Sequence, residues 1–164
     1  MDTQDRRAIS REYFSRERLA EHHFRSFNAF LGRGMQEVVD EKATIDTDIG
    51  DKEGEEPVYV ELGDVRVVTP RVREADGSEE LLYPQEARLR NITYAAPVFM
   101  EMAIIKGGEE EEERVVDQTE TKIGRMPIMV GSDKCNIAGF TREELIDIGE
   151  DPADPGGYFI VNGS

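Results

Sequence analysis

Histidine and cysteine most often carry catalysis or hold a metal, and this sequence has two histidines and one cysteine. His22 and His23 are adjacent, so on a helix they point about 100° apart and cannot share one ion as an i, i+4 pair would. The expectation is one packed and one solvated ring. Cys135 has no histidine near it in sequence, which favours an inert thiol over a nucleophile. Asp46-x-Asp48-x-Gly50-Asp51 has the start of a calcium loop, but Pro57 stands where the twelfth position needs a bidentate Glu. The Glu run at 109–113 reads as a solvated turn, and no glycine loop has Walker or Rossmann spacing. Arg88 and Arg90 lie two apart, with Glu86 placed to pair with Arg90 at i, i+4. Structural ion pairing is the default for them, and phosphate contact is the alternative. Residue chemistry alone delivers no active site.

The chain has 164 residues, 36 acidic against 20 basic, for a net charge of −16. Such a balance disfavours a free-standing nucleic-acid binder with a basic face. The acids are dispersed between apolar positions, and most cations are Arg. Dispersed acidity fits a cytosol at molar salt, where a Debye length of about 3 Å screens self-repulsion. No apolar run approaches the roughly 18 residues that cross a bilayer, and the polar start lacks the apolar stretch of a secretory signal. A single cysteine suits a reducing interior. These features predict a cytoplasmic, acidic domain of ordinary size.

The elements that would position these residues follow from hydrophobic period. Residues 1–14 read as an extended or frayed arm. From Ser15, a credible N-cap, Leu19, His23, Phe27, Phe30/Leu31, Met35 and Val38/Val39 recur at helical steps to about Glu41, with Gly32 and Gly34 marking a bend. Short strands follow at 58–62 and 65–69, then a hairpin over 71–82 whose Asp76-Gly77 suggests a primed turn. Pro84 opens a short helix. The stretch 93–106 alternates as a strand with Val98, Met100, Met102 and Ile104 on one face, and Pro97 in it suggests an edge or a bulge. An edge strand over 114–122 and another over 123–130 precede Thr141-Arg-Glu-Glu144, a capping box for a helix closed by Gly149. A strand over 158–161 runs into Asn162-Gly163, a strong hairpin signal just before the final residue. The expected class is α+β: a long N-terminal helix on a mostly antiparallel sheet with two shorter helices, incomplete at its C-terminal end.

Three stretches in order carry a family resemblance: Glu86-Ala-Arg-Leu-Arg-Asn-Ile-Thr-Tyr-Ala-Ala-Pro97, Ile123-Gly-Arg-Met-Pro-Ile-Met129 and Asp154-Pro-Gly-Gly-Tyr-Phe-Ile-Val-Asn-Gly-Ser164. With Ser26-Phe27-Asn28-Ala29-Phe30-Leu31, Gln36-Glu37-Val38-Val39 and Arg71-Val-Arg-Glu-Ala-Asp-Gly-Ser78, they resemble the second-largest subunit of multisubunit DNA-dependent RNA polymerases. The likeness is to the archaeal and eukaryotic form, and the acidity is similar to that of its halophilic archaeal branch, in which the gene is divided.

The resemblance implies a protrusion-like fold, with 1–14 as an arm and 15–164 as the first part of the protrusion, cut before its closing strands and before the lobe. It implies a structural part of the cleft wall near upstream DNA, in an enzyme that performs nucleotidyl transfer. Its partners would be the other polymerase subunits, the DNA template, and initiation and elongation factors, with no membrane. No cofactor is expected in this segment; the family's magnesium is bound by the largest subunit. No catalytic residue carries over. Arg88, Arg90 and Arg125 sit in matched motifs and are the candidates for nucleic-acid or inter-domain contact. Where relatives often carry several basic residues before the cysteine, this chain has Val130-Gly-Ser-Asp-Lys-Cys135, which weakens phosphate binding there. The rival reading is a stand-alone acidic protein-interaction module with a protrusion-like fold and no enzymatic role.

Overall fold

The computed structural model describes residues 3–16, 20–47, 49, 56–107 and 114–164. The chain divides into two compact units. One comprises residues 1–29, 70–94 and 127–164; the other comprises 30–69 and 95–126. The class is α+β, with antiparallel pairing in both sheets.

In the first unit, α1 (Thr3–Arg16) replaces the expected extended arm, and Ser15 falls in its last turn. Leu19 lies outside the described residues. The predicted helix over 15–41 resolves into α2 (Glu21–Ala29), a π-helical turn (Phe30–Gly34) and α3 (Met35–Asp40), the last two in the second unit. Gly32 and Gly34 sit in the π turn, so the expected irregularity is there as a widened turn. The buried stripe differs by one residue at its start. Phe24 is buried, whereas His22 and His23 are both exposed, their rings tilted by 38° with centroids 4.0 Å apart. Phe24 seats against glycines: a Cβ on Gly131 or Gly156 would come within 3.2–3.3 Å of its ring. Both glycines also have positive φ, which a side chain would strain.

The hairpin of β3 (Arg71–Arg73) and β4 (Glu79–Leu81) forms as expected, but its turn is of another kind. Gly77 N–H donates to Glu74 O at 2.9 Å and Glu74 N–H to Ser78 O at 2.9 Å. Gly77 alone of the turn residues has positive φ, whereas a primed two-residue turn needs two. Pro84 opens α4 (Pro84–Leu89) at its first position, as predicted. Thr141 caps α5 (Arg142–Asp147) in a complete capping box, and Gly149 follows at φ +82°. No strand forms over 158–161; the segment is bonded singly, with Tyr94 N–H on Ile160 O and Val130 N–H on Tyr158 O. Asn162 and Gly163 have φ +51° and +81°, and Val161 and Ser164 exchange both backbone bonds across them. That is the primed hairpin turn which Asn-Gly predicted.

Tyr94 centres this unit's core. Its side chain is fully buried, its N–H donates to Ile160 O and its C=O accepts from Ile128 N–H. Its hydroxyl lies 3.3 Å from Cys135 Sγ and accepts from Asn136 N–H at 2.9 Å. The Asn136 amide in turn donates to Pro70 O at 2.8 Å and Leu82 O at 2.7 Å. Burial pushes the Tyr94 hydroxyl pKa far up, so it remains a neutral hydrogen-bonding group. Leu82, Ile128, Val130 and Ile160 are among the other buried side chains of the unit; burying each aliphatic side chain contributes roughly 1.5–3 kcal/mol.

In the second unit, four strands stand in the order β1-β2-β5-β6: β1 (Thr44–Asp46), β2 (Val58–Val67), β5 (Ala95–Lys106) and β6 (Arg114–Pro127). The two short strands expected at 58–69 are one strand with a bulge between Leu62 and Val65. The bulge accommodates Gly63, where an added Cβ would lie 3.2 Å from Glu101 Cβ. Gln36 of α3 stitches it, accepting from Val65 N–H at 2.9 Å and donating to Gly63 O at 3.3 Å. Backbone groups freed by the extra residue thereby keep partners.

The strands expected at 114–122 and 123–130 are likewise one, β6, at the sheet edge and ending at Pro127. β5 is an inner strand, so Pro97 does not mark an edge, and the register shift between β2 and β5 falls elsewhere, at Leu62/Val65. Pro97 lies just beyond the last registered pair with β2, Val67 with Val98, where the missing N–H costs that ladder nothing. Val98 and Met100 are buried as predicted, Ile104 is 39% exposed, and Ile105 is buried from the opposite face.

Candidate functional site

The candidate arginines all have protein partners. Arg88 is on α4 and faces the loop after α5. Its Nη1 lies 3.4 Å from Glu150 Oε2 and donates to Gln85 Oε1 at 3.3 Å. Its Nη2 donates to the Tyr158 hydroxyl and lies 3.5 Å from Asp154 Oδ2. Tyr158 O–H in turn donates to Asp154. Burial first, and the bond to Asp154 second, push the Tyr158 pKa up to about 12. Glu150 is 7% exposed, and its other oxygen accepts from Gln85 N–H at 2.6 Å. A carboxylate 65 residues away thus serves a free N–H in the first turn of α4.

Arg90 caps the other end of α4 and points elsewhere, as residues two apart on a helix must. Its Nη1 contacts Glu74 at 2.6 Å and Glu86 at 2.8 Å. The Glu86 pair is the i, i+4 bridge that spacing predicts, whereas Glu74 comes from the β3–β4 loop and has no signal in sequence. Arg125 is on β6 in the other unit, and its Nη2 donates to Ala95 O at 3.1 Å. The fold therefore brings Arg88 and Arg90 onto one helix but not onto one site. The residues missed in sequence, Glu150, Asp154, Tyr158 and Glu74, are 16 to 70 positions from their partners.

Other candidate chemistry is sparse. Cys135 is buried, with its Sγ 3.3 Å from the Tyr94 hydroxyl. Among the described residues no group of three or more His, Cys, Asp and Glu is assembled that could hold a metal ion. The acidic loop at 46–51 and the Glu run at 109–113 lie largely or wholly outside the described residues. Among the described residues no helix is long and apolar enough to cross a membrane. The built features are structural: the Arg88 network, the Tyr94–Asn136 hub, and an open groove of about 710 Å³ beside α5.

The three candidate arginines are thus held by internal partners. The model of the RNA polymerase beta subunit family matches residues 18–164, and the chain belongs to that family. It is 81% identical over 161 residues to DNA-directed RNA polymerase subunit Rpo2N of Halobacterium salinarum, covering 98% of this chain and 31% of that protein. It is 44% identical over 154 residues to Rpo2N of Methanothermobacter thermautotrophicus, covering 93% of this chain and 27% of that protein. Against subunit Rpo2 of Saccharolobus solfataricus it is 42% identical over 160 residues, 98% of this chain and 13% of that protein. The chain spans about a third or less of the length of these relatives.

Proposed function

We propose that this chain is a structural part of the second-largest subunit of an archaeal DNA-directed RNA polymerase. In this reading it forms the first part of the protrusion on the cleft wall near upstream DNA. The observation that carries the reading is the 81% identity to Halobacterium Rpo2N across nearly the whole chain. The complex would perform templated nucleotidyl transfer with magnesium held by another subunit, in the cytoplasm. The partners would be the other subunits, the template, and initiation and elongation factors.

This segment's contribution is shape. Arg88 and Arg90 tie α4 to the loops on either side of it, and Gln36 fixes the β2 bulge, so each unit offers a set surface to its neighbours. Paired guanidinium groups suit that role better than phosphate contact, because each would have to leave a carboxylate or carbonyl first. Dispersed acidity suits a host cytosol at molar salt.

Exchange of residues 4–164 into the corresponding part of Halobacterium Rpo2N tests the proposal. An exchanged polymerase that assembles and extends RNA at the parental rate supports it. An exchanged subunit that folds yet fails to join the enzyme overturns it.

A further inference from the structure

We infer that the groove beside α5 is a docking site for a short apolar segment of another polypeptide that carries Lys or Arg at its edge. The inference rests on the proposed place of the chain in a multisubunit assembly. The groove holds about 710 Å³, inside the roughly 300–1,000 Å³ typical of binding clefts. Ile137, Phe140, Leu145 and Pro152 line it and are all half-buried, so they offer an apolar floor still partly open to solvent.

Its walls are preformed. The Thr141–Glu144 capping box fixes the start of α5. Glu150 is anchored on Gln85 N–H, and Asp151 and Asp154 hold their own loop through Ala153 N–H at 2.8 Å and Gly156 N–H at 2.9 Å. A site that needs little ordering loses less free energy on binding.

Charge selects among occupants. Among the described residues Arg142 is the one cation lining the groove, against Glu150, Asp151 and Asp154. The Arg88 guanidinium offsets one of the Glu150 and Asp154 charges, which leaves the rim net negative. Just outside it, α5 adds Glu143 and Asp147. This sign repels nucleic-acid phosphates and a second copy of a chain with net charge −16. At molar salt only contact pairs survive screening, so the apolar floor anchors the occupant and a cation on Asp151 orients it.

The test places a photo-crosslinking amino acid at Ala138, which lines the groove and is exposed, in the native chain within polymerase purified from its host. Crosslinked peptides are sequenced, with and without Ala153→Lys, a change at an exposed lining position that puts a long side chain into the groove and cancels one unit of its negative charge. The expected product joins Ala138 to a segment of another polypeptide with large apolar residues flanked by Lys or Arg. Its yield should fall at least tenfold with Ala153→Lys while the enzyme still assembles. Crosslinks to nucleic acid, to a second copy or to an acidic segment overturn the inference, as does the absence of a polypeptide crosslink or a yield that Ala153→Lys leaves unchanged. If the other polymerase subunits do not co-purify at all, it is the proposed function that has failed.

Discussion

Arg88 ties together more partners than either of the other candidate arginines. It meets Glu150, whose side chain is 4% exposed, and joins Asp154 and Tyr158 in one network. Replacement by Met leaves a buried carboxylate with one backbone donor. Loss of one partner of such a pair should cost about 2–4 kcal/mol, read as a lower Tm. The double variant Arg88→Met, Glu150→Gln should recover part of that loss, because it removes the stranded charge. Were Arg88 primarily a DNA contact, the single variant would weaken template retention in the assembled enzyme with little change in Tm. The Tyr158 titration belongs to the same network: a folded pKa of about 12 lies above the ordinary 10. Its contribution is therefore complete below pH 10 and is lost as pH rises towards 12. Because the Arg88 charge and hydrogen bond both hold the phenol down, a phenolate absorbance titration should place one tyrosine near 12 in the parent and higher still in Arg88→Met; a fall towards 10 in the variant would contradict the assignment.

At the scale of elements, stability rests on devices of very unequal legibility. The capping box of α5 was readable because all its parts lie within four residues. Thr141→Ala should destabilise the first unit by about 1 kcal/mol. Bonds from Thr141 hold Glu144 below its ordinary 4.5. A depressed carboxylate stabilises above its unfolded pKa and loses that contribution as pH falls through the folded value. The Tm gap between parent and Thr141→Ala should thus narrow below about pH 4, and a gap that widens on acidification would contradict the assignment. The β2 bulge was not legible, since the Gln36 that satisfies it is 27 to 29 residues away. Gln36→Ala strands Val65 N–H and Gly63 O and should cost about 1–2 kcal/mol in chemical denaturation.

The same contrast explains the rest of the reading. Asn162-Gly163 and Pro84 declared themselves through backbone preference, and both turn and helix start are where the residues put them. The hairpin at Asp76-Gly77 was placed correctly, but the longer loop was chosen by the Glu74–Ser78 bond, which pairwise preference does not encode. The two strands merged into β6 and the two merged into β2 were split in sequence by charged or glycine residues that an exposed edge and a bulge tolerate. The arginines were legible as candidates but not their partners, because Glu150, Asp154 and Glu74 are brought in by the fold.

For the whole molecule the governing quantity is the charge of −16. At low ionic strength, dispersed carboxylates repel one another across the surface, and added salt shortens the range from about 30 Å at 0.01 M to about 3 Å at 1 M. The chain should gain Tm continuously as KCl rises into the molar range, with the steepest rise at the low end, followed by circular dichroism. Lysine substitution at several exposed acids should flatten that dependence, and an equally steep rise in the supercharge-reduced variant would point to salting-out of apolar surface instead. The membership of the family is settled by residues 18–164 and by the relatives that share them; what the chain does in its host follows from its place in an assembly. The most direct measurement is purification of the native, tagged gene product from the host at molar KCl, followed by mass spectrometry of everything that stays bound. The account predicts recovery with the other subunits of DNA-directed RNA polymerase in fixed proportion. Recovery of the chain alone, at full yield and without those subunits, would contradict it and favour a free-standing acidic interaction module.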